Sequence, residues 1–198
     1  MIPYLTAQPL VLASASPRRL ALLRQIGLEP QLAPADIEEL ASLDQHSPAQ
    51  LAEVNAQQKA LAVRDDFRQT AAIILAADTV VVKDGHLFGK PADHQQAAAM
   101  LRQLSGHSHQ VYTGICLLRA ADSKLICSSN CTEVNFSQLT EEQIAAYLAT
   151  GEPFDKAGAY GIQGAAGLFV ESIVGDYNTV VGLSLALLGR LAEQLSRC

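Results

Sequence analysis

The chain is 198 residues long, 49% hydrophobic and 17% charged, which excludes a disordered polymer and suits one globular domain or two lobes sharing a core. A formal net charge of −6 argues against a broad nucleic-acid or anionic-membrane face, since both require a basic surface, but it leaves room for a local cationic pocket. Tryptophan is absent and aromatics are only 5%, so the core has to be built from Leu, Ile, Val and Ala.

Residues 1–8 are neither basic nor apolar enough for a signal peptide, and the longest apolar runs, such as 71–77, fall far short of a membrane span. Cys116, Cys127, Cys131 and Cys198 form no pair of clusters that would complete a zinc site, and they read as reduced structural thiols. The expectation is a cytoplasmic protein.

In chain order, residues 10–13 read as a short buried strand. Ser16 supplies an N-cap and Pro17 a first helical position for a helix reaching about residue 25 and stopping at Gly27, with Leu20, Leu23 and Ile26 on its apolar side. An acidic step, Asp36-Ile37-Glu38-Glu39, follows a loop with Pro30 and Pro34. Ser47-Pro48 opens a second helix to about residue 64, with Leu51, Val54, Leu61 and Ala62 inward and Lys59 at the border of that stripe. Residues 73–77 contain no polar side chain and suit the middle of a sheet; residues 79–82 continue them, and Asp84-Gly85 turns a hairpin back through Leu87-Phe88. Asp93 with Gln96 starts a helix over 95–104, followed by Gly106. Two long strands over 110–118 and 125–136, a helix over 141–149 capped by Thr140 and Gln143, a glycine-spaced loop over 155–167, a strand over 168–173 and a last helix over 183–195 complete the chain. No repeat and no Gly-, Ser- or Pro-rich linker divides it, so residues 1–198 read as one α/β unit with helices on the faces of a sheet.

Four segments carry chemistry. Ser14-Ala15-Ser16-Pro17-Arg18-Arg19 places two guanidinium groups in the first turn of a helix, where the macrodipole already disfavours cations. A phosphate beside the free backbone N–H groups resolves that conflict, and Ser14 and Ser16 add hydroxyl donors; the plain alternative is a solvated cap with two surface arginines. No Gly-x4-Gly-Lys-Ser/Thr loop is present. Asp78 directly follows the apolar strand, where an ionised carboxylate needs a partner, a hydrogen bond or a metal, unless it merely turns toward Thr79. Glu38 and Glu39 provide a second acidic step, and hard cations such as Mg²⁺ favour one or two carboxylates completed by substrate phosphate oxygens. In Gly89-Lys90-Pro91 the proline holds Lys90 extended; Lys59 is a second isolated lysine, and either could snorkel to solvent. Glycines at 158, 161, 164 and 167 permit close backbone approach, and Gln163 between them offers an amide to the edge of a planar base. No Ser/His/Asp or Cys/His nucleophile pattern stands out, and His107 and His109 read as surface residues.

Together these segments resemble the Maf family of nucleotide pyrophosphatases over nearly the whole chain. The resemblance rests on Leu12-Ala13-Ser14-Ala15-Ser16-Pro17-Arg18-Arg19, Ala77-Asp78-Thr79-Val80, Gly89-Lys90-Pro91, Leu104-Ser105-Gly106 with Val111-Tyr112-Thr113-Gly114, and Asp155-Lys156-Ala157-Gly158-Ala159-Tyr160-Gly161-Ile162-Gln163-Gly164. It implies a Maf/ITPase-like α/β fold, an elongated mixed β-sheet flanked by helices with two lobes around a central cleft, and commonly a homodimer. It also implies hydrolysis of a nucleoside triphosphate to the monophosphate and pyrophosphate with a divalent cation, Mg²⁺ or Mn²⁺. Asp78 would be the proton acceptor, and Ser14, Arg18, Arg19, Lys59 and Lys90 would line the phosphate site. Glu39 would join Asp78 around the metal, while Arg18, Thr79 and Gln163 match positions that set base preference. Gly-Ala-Tyr-Gly-Ile-Gln looks like the branch acting on dTTP and UTP; a related branch acting on 7-methyl-GTP differs there. The chain departs from its relatives at Gly89, often acidic, and at Ser184, usually proline. Three other readings stay open: a nucleotide-binding regulator of septum formation acting through a protein partner, a pyrophosphatase of a modified purine nucleotide such as 7-methyl-GTP, and a phosphatase removing the terminal phosphate.

Overall fold

The computed structural model describes residues 3–197, so Met1, Ile2 and Cys198 lie outside it. Its centre is a mixed seven-stranded sheet built from β1 (Leu10–Leu12), β2 (Gln31–Leu32), β3 (Ile73–Lys83), β4 (His86–Phe88), β5 (Ser108–Arg119), β6 (Lys124–Phe136) and β7 (Val170–Val174). The strand order is β2-β1-β3-β5-β6-β7; β1 runs parallel to β2 and β3, and the remaining pairs are antiparallel. The helices are α1 (Pro3–Thr6), α2 (Pro17–Gln25), α3 (Pro48–Phe67), α4 (His94–Leu104), α5 (Glu141–Leu148), α6 (Tyr177–Val181) and α7 (Leu185–Ser196). This is the sheet with flanking helices expected from the order of elements, and its mixed pairing is what the resemblance implies. No helix among the described residues is long and apolar enough to cross a membrane, and Cys116, Cys127 and Cys131 are free thiols.

Alternation along β3 assigns its two faces. Ile73, Leu75 and Ala77 pack with Leu22 and Leu23 of α2 and Leu187, Leu188 and Leu191 of α7. Ile74 and Ala76 pack with Ala56, Ala60 and Val63 of α3. Toward the far end, Val81 and Phe88 join Leu101 and Leu104 of α4 and Ile144 and Tyr147 of α5 in another apolar cluster. One edge of β3 is covered in two pieces: β1 pairs with Ile73–Leu75, and β4 pairs only from Val81 onward. Residues 76–80 therefore have a strand neighbour on one side only, β5.

Several expectations need correction. Asp78 does not follow the strand; it sits within an eleven-residue β3, because β5 pairs with it without a break from Ile73 to Val82. The inward face of α3 is Leu51, Ala52, Asn55, Ala56, Lys59, Ala60 and Val63, so Lys59 belongs to its middle, whereas Leu61 is 39% exposed and Ala62 faces solvent. The small alanines, more than the larger apolar residues, mark that face because the helix lies close against the sheet. On α2 Leu22 is buried and Ile26 is 36% exposed. The last helix appears as expected, as α7 capped by Ser184, which accepts from Leu187 N; the short α6 before it was not anticipated and ends at Gly182, whose φ is 119°. The glycine-spaced loop contains single 3₁₀ turns, and its following strand starts at Val170, leaving Leu168 87% exposed. The two-residue β2 and four-residue α1 are too short to show periodicity.

His109 is the clearest reversal: it is 2% exposed, not a surface residue. Its Nε2 lies 2.8 Å from the Tyr160 hydroxyl, and the rings of His109, Tyr160 and Phe136 meet edge to face at 4.8–5.3 Å. Burial, with a smaller contribution from Lys83, lowers the His109 pKa to about 4, so the imidazole is neutral in the fold. An unfolded chain takes up that proton below about pH 6.5, so folding stability is unaffected above that pH. As pH falls from about 6.5 toward 4 it is lost at up to about 1.4 kcal/mol per pH unit. His109→Gln should lower stability at pH 7.5 and flatten this part of the profile in urea titrations from pH 7.5 to 4.5. An unchanged slope would assign the pH dependence to another group.

Candidate active site

The gap in the pairing of β3 opens into a cleft of about 420 Å³, in the range of small-molecule sites. Its wall contains every residue singled out from the sequence as a site candidate except Glu38: Ser14, Ser16, Arg18, Arg19, Glu39, Lys59, Asp78, Thr79, Lys90 and Gln163. Because Asp78 and Thr79 are adjacent on an open strand edge, they serve the cleft from opposite faces of the sheet.

On the α3 face, Asp78 is 5% exposed and both carboxylate oxygens are engaged. Asn55 Nδ2 donates to Oδ2 at 3.0 Å, and Lys59 Nζ donates to Oδ1 at 2.5 Å. The same ammonium lies 2.7 Å from Glu39 Oε1. Asn55 also donates to Leu40 O at 3.0 Å and accepts from Leu40 N at 2.9 Å, which pins the acidic segment beside Asp78. Asn55 was not anticipated from the sequence. The available signal was its i, i+4 relation to Lys59 on a stripe otherwise made of alanine and leucine. Two carboxylates thus converge on one cation. Among the described residues no group of three or more His, Cys, Asp or Glu side chains could hold a metal. The donor set that Asp78 and Glu39 offer is hard and incomplete, which fits a Mg²⁺-like ion whose remaining ligands are phosphate oxygens and water.

On the α2 face, Arg19 is buried. Its guanidinium donates to Ser14 Oγ at 3.0 Å, Gly182 O at 2.9 Å and Thr79 Oγ1 at 3.3 Å. Burial lowers its pKa, opposed by Asp78 and helped by Arg18. Arg18 instead reaches across to the glycine loop, with NH1 3.1 Å from Asp155 Oδ2. Burial works against the Asp155 charge, but hydrogen bonds from Lys156 and Arg18 more than offset it and hold its pKa below the usual value. Ser16 stands at the N-cap of α2, yet its hydroxyl makes no capping bond; its own N–H donates to Ser14 Oγ at 3.2 Å. The first turn of α2 therefore keeps donors for an anion. Lys90 and Gln163 are exposed parts of the wall, while Glu38 is exposed outside it.

Residues 9–195 match the family model described as Maf-like protein. The chain belongs to the Maf-like family. A relative from Symbiobacterium thermophilum, named dTTP/UTP pyrophosphatase, is 52% identical over 90% of this chain and 89% of its own length. Relatives of the same name from Pelotomaculum thermopropionicum and Dictyoglomus thermophilum are 46% and 42% identical, each over at least 94% of both chains.

In this Maf-like chain a glycine of β5 permits the close approach of α3 to the sheet. Gly114 is the cross-strand partner of Asp78 on β5, and a Cβ there would lie 2.4 Å from the carbonyl carbon and oxygen of Ala52. Backbone meets backbone at that point, and Asn55 and Lys59 follow one and two turns further along α3. Gly114→Ala should therefore destabilise the fold by roughly 1–3 kcal/mol through overpacking. Gly89→Ala, with nothing within 4 Å of the added carbon, should stay within about 0.5 kcal/mol of the parent. Urea denaturation of both variants checks the contrast, and equal effects would refute it.

Proposed function

We propose that the chain hydrolyses dTTP and UTP between the α and β phosphates, releasing the nucleoside monophosphate and pyrophosphate. The observation that carries this reading is the single cleft that sets the Asp78–Lys59–Glu39 cluster against the cationic first turn of α2. The names of relatives sharing 42–52% of their residues over nearly the full length support the substrate.

The triphosphate binds against Ser14, Arg18, Lys90 and the unpaired N–H groups at the start of α2, which together match its dense negative charge. Asp78 accepts the proton of the attacking water. Asn55 and Lys59 hold both of its oxygens in place, so the carboxylate enters the reaction already oriented. Lys59 also keeps Glu39 and Asp78 from repelling each other at the distance imposed by the fold. A Mg²⁺ or Mn²⁺ ion held by Asp78 and Glu39 with phosphate oxygens would neutralise charge on the leaving pyrophosphate and acidify the water. Arg18, Thr79 and Gln163 face the base, where uracil and thymine present an N3–H donor between two carbonyl acceptors.

Incubation with dTTP and Mn²⁺ should release pyrophosphate. Asp78→Asn should lose at least ~10²-fold in turnover, the lower end for general-base catalysis, in a protein that still folds, although loss of the carboxylate facing Lys59 lowers its urea midpoint. Near-normal turnover of that variant removes Asp78 from the role, orthophosphate as the first product refutes the reaction class, and fastest cleavage of a purine among the eight common triphosphates refutes the base preference.

A further inference from the structure

Thr79 and Thr113 are cross-strand partners on β3 and β5, and their hydroxyl oxygens lie 2.9 Å apart. Either could donate if the pair stood alone. It does not stand alone, because Thr113 Oγ1 is also 2.7 Å from the carbonyl oxygen of Thr179, and a carbonyl can only accept. The Thr113 proton is therefore committed to Thr179 O. That carbonyl is available because α6 ends early: Leu183 N, its regular i+4 partner, bonds to Asn178 O at 2.9 Å, as does Gly182 N. Thr113 and Thr179 are both fully buried, which makes an unmade bond between them expensive.

The remaining polarity follows in order. With its own proton directed to Thr179, Thr113 Oγ1 accepts the proton of Thr79. On the other side of Thr79, Arg19 NH2 lies 3.3 Å away, and a guanidinium has donors only. Arg19 is itself fixed by Gly182 O and Ser14 Oγ. Thr79 gives its one proton inward, receives one from Arg19, and keeps a lone pair for the cleft whose wall it forms.

We propose that Thr113 is a positioning residue for base selection: by taking the Thr79 proton and passing its own to the Thr179 carbonyl, it makes Thr79 an obligate hydrogen-bond acceptor toward the cleft, suited to N3–H of uracil or thymine and unsuited to the bare N3 of cytosine. This rests on the dTTP/UTP reading of the cleft and adds the residue that imposes polarity on Thr79. Cytosine carries its donor one position away, at N4, where uracil and thymine present an acceptor, so a base registered by N3 mismatches at both atoms. A serine or threonine in a site usually rotates its proton to suit either partner; here a buried chain of three hydrogen bonds removes that freedom.

The test compares kcat/KM for UTP and CTP in the parent, Thr113→Val and Thr113→Ser, with urea midpoints recorded for each. Valine keeps the shape and removes the acceptor, which frees the Thr79 proton to turn into the cleft. The UTP-to-CTP ratio should fall about ten-fold or more, the size of one misplaced hydrogen bond in a recognition site. Thr113→Ser should restore the parent ratio. If Thr113→Val lowers both substrates equally, or leaves the ratio unchanged, Thr113 is structural only and the proposal is overturned. A second measurement needs no variant: 3-methyluridine triphosphate, which lacks N3–H, should be cleaved by the parent at least about ten-fold less efficiently than UTP, and equal cleavage overturns the proposal. Failure of the parent to cleave UTP at all would instead sink the underlying substrate reading, so the two failures are distinct.

Discussion

A carboxylate placed within the central strand of a sheet, 5% exposed, has to be compensated where it stands, and Asp78 constrains much of the surrounding architecture. Lys59 and Asn55 supply that compensation from α3, one turn apart, and both can reach only if the helix lies unusually close to the strands. The closeness is visible in the residues that permit it. Ala52, Ala56 and Ala60 lie on the inner side of α3, and Gly114, beside Asp78 on β5, lacks the Cβ that would collide with the helix backbone at Ala52. Asn55 then extends the arrangement to the acidic segment by pairing with both backbone groups of Leu40. Glu39 reaches Lys59 because its neighbour is pinned to the same asparagine that holds Asp78.

The opposite face of the strand solves a different problem. Where β1 stops and β4 has not begun, β3 has an unpaired edge over residues 76–80, and an open edge is a liability unless something covers it. The turn around Ser14, the start of α2 and the α6–α7 junction crowd that edge, and buried Arg19 ties the three together through Ser14, Gly182 and Thr79. Here a polar network stands where strand pairing would otherwise be. The cleft is the space this solution leaves, which explains why residues from both faces of one sheet line a single cavity.

Most elements were legible because their signals are local. The helix starts at Ser47 and Thr140, the Asp84-Gly85 hairpin and the two long strands all appear where residue type and period place them. The site residues were legible as types in a pattern, and the cleft gathers all of those named but Glu38. What escaped depends on distance across the fold. The inner face of α3 was displaced because leucine weighs more than alanine in a periodicity argument, although close packing favours the smaller residue. Asn55 looks like an ordinary helix residue until Asp78 and Leu40 are placed beside it. His109 looked exposed because nothing local shows that Tyr160, fifty-one residues later, closes over it.

Burial also sorts the charged residues of the cleft into two groups with different prospects in binding. Arg19 and Lys59 are buried, the first held by Ser14, Gly182 and Thr79 and the second by Asp78 and Glu39, and removing Asp78 would leave the Lys59 charge poorly compensated away from water, at a penalty of several kcal/mol. They are better suited to holding the frame than to moving toward a ligand. Arg18 is different. Its partner Asp155 is well exposed, and an exposed pair is worth about 0–1 kcal/mol. A phosphate presents more charge to the same guanidinium and can be met by two parallel N–H donors. Arg18 can therefore leave Asp155 at little cost when a polyanion arrives. On the proposed reading, the sequence neighbours Arg18 and Arg19 divide the work: one is held by the fold and shapes the site, and the other is held loosely enough to answer the substrate.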